Sequence, residues 1–126
     1  SNYMLPGGIR PFTFGSHSYT HPYLQARKET FTTDEEYNAF LDYELGESKR
    51  IIELLIPDDV KGLALPFGDG AGDSEIIAAA QRNGFSFIRT SVHSAIKDAD
   101  IGLFNIPSVP ILNNTLIEEI VDYLEN

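Results

Sequence analysis

Three histidines and no cysteine limit the metal chemistry open to this 126-residue chain. Any ion must be held by imidazole and carboxylate. His17 and His21 sit four apart in Gly15-Ser16-His17-Ser18-Tyr19-Thr20-His21-Pro22. One helical turn would put both rings on the same face, where neutral imidazoles bind one borderline ion such as zinc. The spacing fits two surface histidines in a polar loop equally well. Ser18 and Thr20 can tie such a loop to its own backbone. Asp69 and Asp73 are carboxylates that could complete a His-His-Asp set, although Asp69 also reads as a turn residue and Asp73 as a helix cap. His93 reads as a polar loop residue.

A second feature is Leu63-Ala64-Leu65-Pro66-Phe67-Gly68-Asp69. An apolar strand that runs into Pro-Phe-Gly-Asp ends in a rigid turn. A backbone N–H in that turn could stabilise an oxyanion; the segment also fits an ordinary strand-to-helix connection.

The elements that must position these residues follow from the apolar pattern. Ile9 to Ser16 reads as a short strand, and His17 to Thr32 as a loop with one turn of helix. Thr33 and Glu36 form a capping box. They open a helix on which Tyr37, Phe40, Leu41, Leu45, Ser48, Ile52 and Leu55 recur at helical spacing, with Asp42, Glu44, Glu47, Lys49, Arg50 and Glu53 mostly on the other side. Gly46 costs that helix about 1 kcal/mol relative to Ala, and Pro57 ends it. Gly62 to Phe67 reads as a buried strand. Asp73 caps a helix over Ser74 to Asn83 that Gly84 stops, and Phe85 to Thr90 is a second buried strand. Ser91 to Asp100 reads as irregular, Ile101 to Phe104 and Val109 to Leu112 as short strands. A last helix opens at Asn114 or Thr115 with an apolar stripe of Leu116, Ile117, Ile120, Val121 and Leu124.

This alternation predicts an α/β fold with parallel strands and flanking helices. Functional groups in such sheets gather beyond the C-terminal strand ends. Three loops qualify: His17 onward, Phe67 to Asp73, and Thr90 to His93.

Composition narrows the function. Hydrophobic residues make up 42% of the chain, enough for a core in one domain spanning 1–126. Nine basic residues against 19 acidic ones leave a net charge of -10. That charge repels phosphate backbones and anionic lipid, so nucleic acid is excluded as an expected partner. No apolar run reaches the roughly 20 residues of a membrane helix, and no export signal is visible. The length is also short of the roughly 200 residues a full α/β barrel needs.

Taken together, Phe14 to Leu24, Glu47-Ser48-Lys49 with Ile52-Glu53, Leu63 to Asp69, Asp73 to Thr90 and Phe104 to Leu112 resemble the polysaccharide deacetylases, the NodB-homology domain of carbohydrate esterase family 4. The first run resembles the family's His-Ser/Thr-x-x-His motif and the third its Pro-Tyr/Phe-Gly motif. The resemblance implies a partial (β/α)-barrel-like NodB-homology fold. It implies a hydrolase that removes N- or O-linked acetyl groups from an acetylated glycan with a divalent metal, most simply zinc, at the cell surface or outside the cell. His17 and His21 would be metal ligands and Ser18 the motif's supporting hydroxyl. The Phe67 N–H would serve the oxyanion, and Tyr19, Pro66 and Phe67 would border the substrate. The family's early Thr-Phe-Asp-Asp motif, which supplies a base and a third ligand, has no match here, nor do its later Asp-x-x-Asp-Trp motif and late catalytic histidine. The expectation is therefore the C-terminal portion of a larger domain, whose open sheet edges need a missing segment or another copy, as in a homo-oligomer. The alternative is a non-catalytic sugar-binding or structural relative, with Tyr19, Tyr23, Phe67 and Phe14 stacking on sugar rings.

Overall fold

A computed structural model describes residues 4–96 and 102–125. The alternation of strand and helix forms as expected, with shorter strands. β1 (Gly62–Ala64) and β2 (Phe87–Arg89) pair in parallel, Leu63 opposite Ile88. Single parallel bridges extend the sheet on both sides, Ser16 to Leu63 and Arg89 to Ile106. The order across the sheet is thus the Ser16 segment, β1, β2 and the Ile106 segment.

The expected strand Ile9 to Ser16 reduces to that one bridge at Ser16, and Ile9 instead bridges back to Leu5. Its side chains explain this: Ile9, Phe12 and Phe14 are exposed, so no buried face fixes a register. Between Ile101 and Phe104 the expected strand is a 3-10 turn at Leu103–Asn105, with Ile101 outside the described residues. Val109 to Leu112 is irregular. Lys97 to Asp100, within the segment read as irregular, also lie outside the described residues.

Among the described residues three α-helices form: α1 (Asp34–Leu55), α2 (Ser74–Arg82) and α3 (Ile117–Glu125). The Thr33–Glu36 capping box closes in both directions. Tyr37, Leu41 and Leu45 of α1, Ile76, Ala79 and Ala80 of α2, and Leu63 and Ile88 of the strands make one core with Leu24, Val60, Leu65 and Phe85. Gly46 has a reason to be glycine, since a Cβ there would stand 2.6 Å from Asn83 Oδ1. Asn83 is not free to yield, because its amide donates to Asp42 and to the Ala79 carbonyl. The close approach of α1 and α2 is what offsets the helix cost of Gly46. The Tyr37 hydroxyl donates to the Leu24 carbonyl at 3.0 Å. Burial, and then the charges of Asp73, Glu75 and Asp69, raise the Tyr37 phenol well above its ordinary range, so it stays a donor.

The apolar stripe of α3 forms, but no described residue of α3 is buried. No helix among the described residues is long and apolar enough to cross a membrane.

Asp73 caps α2 through two bonds of 3.0 Å, accepting from the Glu75 and Ile76 N–H groups. Replacing it with alanine should lower stability by about 1 kcal/mol, read as a shift of the urea midpoint. An unchanged midpoint would deny the cap.

Candidate functional site

The parallel register carries the end of the first segment to the end of β1. The Ser16 N–H donates to the Gly62 carbonyl and the Ala64 N–H to the Ser16 carbonyl. His17 therefore leaves the sheet beside Ala64. The Pro66–Gly68 turn leaves β1 at the same rim.

The two histidines meet, but not on a helix. Residues 17–21 form a tight bent loop, with Ser18 and His21 in the left-handed region at φ 65° and 60°. The Ser18 Oγ accepts from the His21 N–H at 3.1 Å, which closes the loop. His17 Nδ1 lies 2.9 Å from the Ala64 carbonyl oxygen. A carbonyl only accepts, so Nδ1 carries the proton and His17 Nε2 keeps its lone pair in the neutral ring. His21 Nε2 stands 3.0 Å from that lone pair and, as the partner left to carry the proton, donates to it. Two imidazole nitrogens each about 2.0–2.1 Å from one ion, at square or tetrahedral angles, lie roughly 2.8–3.4 Å apart. The pair thus fits a shared divalent ion, with one ring already oriented by a backbone carbonyl as metal-bound histidines are.

No third His, Asp or Glu joins the pair among the described residues. Asp69 is engaged elsewhere: its Oδ2 accepts from the Gln25 and Ala26 N–H groups at 2.7 and 3.0 Å. Asp73, besides its cap, accepts from the Gln25 side chain. Both carboxylates hold the far end of the histidine loop against the 69–73 turn. His93 is exposed in a segment with no regular secondary structure.

Phe67 is the third non-glycine residue with positive φ, at 57°. All such residues among the described ones lie in this site, and strained backbone concentrates where function needs an exact geometry. No carbonyl among the described residues accepts from the Phe67 N–H. Its ring is 57% exposed. It meets His21 edge-on at 4.7 Å and stacks on Tyr23 at 4.1 Å and 12°. Tyr23 thus stacks on the same ring that meets His21. Tyr19 turns instead to Tyr43 of α1, ring centroids 5.5 Å apart. Pro66 is fully buried beneath the turn and offers no surface to a ligand. From His17 an open groove runs along the sheet, bordered by Phe14, Ala64, Phe87 and Arg89.

The charge pattern of α1 puts Glu44 on its solvent side. It is instead buried, 3% exposed. Its carboxylate accepts from the Tyr19 N–H at 3.0 Å, the Thr20 N–H at 2.8 Å and the Thr20 hydroxyl at 2.6 Å. One turn on, Ser48 bonds the Ser16 hydroxyl at 2.6 Å. The signal was in the spacing: position 44 follows Leu41 by three and precedes Ser48 by four, inside the apolar stripe.

With this geometry in hand, similarity to solved structures decides the fold. The chain matches a Streptococcus pyogenes deacetylase, PplD, in complex with acetate, at TM-score 0.71 and 20% identity over 90% of this chain and 45% of that one. The chain has the polysaccharide deacetylase fold. A polysaccharide deacetylase from Bacillus cereus matches at TM-score 0.66 and 21% identity, over 90% of this chain and 32% of its own. A de-N-acetylase from Aggregatibacter actinomycetemcomitans matches at TM-score 0.59 and 18% identity, over 72% of this chain and 33% of its own. The chain spans less than half the length of these deacetylases. No family model matches it, and no curated relative does.

The left-handed backbone at Ser18 can be tested directly. Both Ser18→Ala and Ser18→Gly lose the hydroxyl, but only glycine is relaxed at that φ. Ser18→Ala should be the less stable of the two by about 1 kcal/mol in urea unfolding. Equal stabilities would contradict the loop conformation.

Proposed function

We propose that this chain carries the metal-binding part of a polysaccharide deacetylase, which removes N- or O-linked acetyl groups from an acetylated glycan by hydrolysis. The observation that carries the reading is the 3.0 Å approach of His17 Nε2 to His21 Nε2 on the rim of a deacetylase-type sheet. His17 and His21 would hold the ion, and zinc suits a borderline imidazole site. When bound, such an ion supplies Lewis-acid polarisation of an acyl oxygen and a more acidic water.

The chain's own residues supply the rest of this half-site. The Ala64 carbonyl fixes the His17 tautomer. The Phe67 N–H, held at a left-handed φ, is available to donate to the acetyl oxygen as negative charge develops there. The exposed Tyr23–Phe67 stack offers an aromatic face to a sugar ring next to the histidines. One fold neighbour is a deacetylase in complex with acetate, and acetate is the product this reaction would release. The family resemblance extends the reading to an extracellular or cell-surface glycan. Among the described residues, no third His, Asp or Glu stands with the pair as a third ligand or base.

Zinc titration tests the reading first, with acetate release from N-acetylated oligosaccharide as the second arm. The chain should bind one zinc, and His17→Ala with His21→Ala should weaken binding by at least about a hundredfold, the scale expected for losing ligands rather than supporting partners. Equal zinc affinity in the wild type and the double variant would overturn the metal site. Binding of oligosaccharide without acetate release, with zinc present, would favour the non-catalytic relative.

A further inference from the structure

We infer that Glu44 is a positioning residue for the histidine pair: its buried carboxylate sets the loop conformation in which His17 and His21 converge. The inference rests on the metal-binding reading and assigns it a residue from α1. A carboxylate taken from water needs hydrogen-bond donors or a countercharge. The partners given to the Glu44 carboxylate are the Tyr19 N–H, the Thr20 N–H and the Thr20 hydroxyl. Both residues lie between the histidines. The flanking Ser18 and His21 have φ values of 65° and 60°, a conformation disfavoured for side chains with a Cβ. Charge-assisted bonds are about twice as strong as neutral ones, so three of them on one carboxylate can hold two such residues in place. Glu44 itself sits on the long, capped α1, whose Leu41 and Leu45 are buried in the core. The loop is thereby referenced to the packed core. Glu44 touches neither imidazole in any bond found here; it acts through the backbone of Tyr19 and Thr20.

The test compares zinc affinity of the folded 126-residue chain across three proteins, by competition with a chromophoric chelator. Circular dichroism reports helix content in each. Glu44→Gln keeps the shape but makes the three bonds neutral, and the Thr20 hydroxyl, facing the new amide nitrogen, must turn from donor to acceptor. It should stay helical and bind zinc about tenfold or more weakly, the range found for residues that support metal ligands. Ile76→Val, a core truncation on α2, should bind as the wild type does even though it is less stable, which separates positioning from general stability. If Glu44→Gln loses its helical signal, Thr20→Val replaces it; that change removes only the hydroxyl arm and should weaken zinc binding several-fold. Wild-type affinity in a folded Glu44→Gln or Thr20→Val overturns the inference.

A wild type that binds no zinc would defeat the metal reading and leave Glu44 to a metal-free readout. Nitrogen-15 spectra of the histidine rings should then show the His21 Nε2 proton protected from exchange in the wild type and unprotected in Glu44→Gln. Identical ring spectra would overturn the positioning role.

Discussion

A buried carboxylate needs donors, and in this chain the donors come from the loop between two histidines. That requirement organises the site. Glu44 is carried on α1, which is anchored by its capping box and by Tyr37, Leu41 and Leu45 in the core. The loop has no regular structure of its own. It takes its shape from Glu44 below, from the Ser16 bridge to β1 at one end, and from the Asp69 and Asp73 carboxylates on Gln25 and Ala26 at the other. Three ties to three different elements make a short loop behave as part of the scaffold, as a preorganised site requires.

The sheet contributes position rather than size. β1 and β2 are three residues each, yet the parallel register puts His17 beside the end of β1. There the Ala64 carbonyl can fix one ring and the Pro66–Gly68 turn can present Phe67. The left-handed φ of Ser18, His21 and Phe67 shows the backbone held away from its local preference at the points where an ion, a carbonyl oxygen and a sugar ring would meet. Asp69 and Asp73, which sequence spacing offered as ligands, brace this arrangement from outside.

Much of this was legible in the residues, and the limits have physical causes. Caps and stops are local chemistry, so the Thr33–Glu36 box, the Asp73 cap and the Gly84 stop all appear where their types place them. Strand lengths depend on partners across the sheet. Ile9 to Ser16 has the alternation of a strand, but among the described residues no second strand buries its apolar face, and only isolated bridges form, at Ile9 and Ser16. The histidine spacing predicts that the two rings meet on a turn of helix; they do meet, but on a loop with positive φ tied to a buried glutamate. The burial of Glu44 runs against the rule that a charge on a helix faces solvent, although its position lies within the apolar stripe. Tyr19 turns its ring to Tyr43 of α1, an edge-to-face partner, a contact no local pattern reveals.

The central claim is that His17 and His21 share one ion, and locating that ion tests it most directly. A zinc-soaked crystal of the chain, measured at the zinc absorption edge, should show one anomalous peak about 2.0–2.1 Å from both His17 Nε2 and His21 Nε2. A peak at His93 or on the acidic surface, with nothing between His17 and His21, would contradict the account.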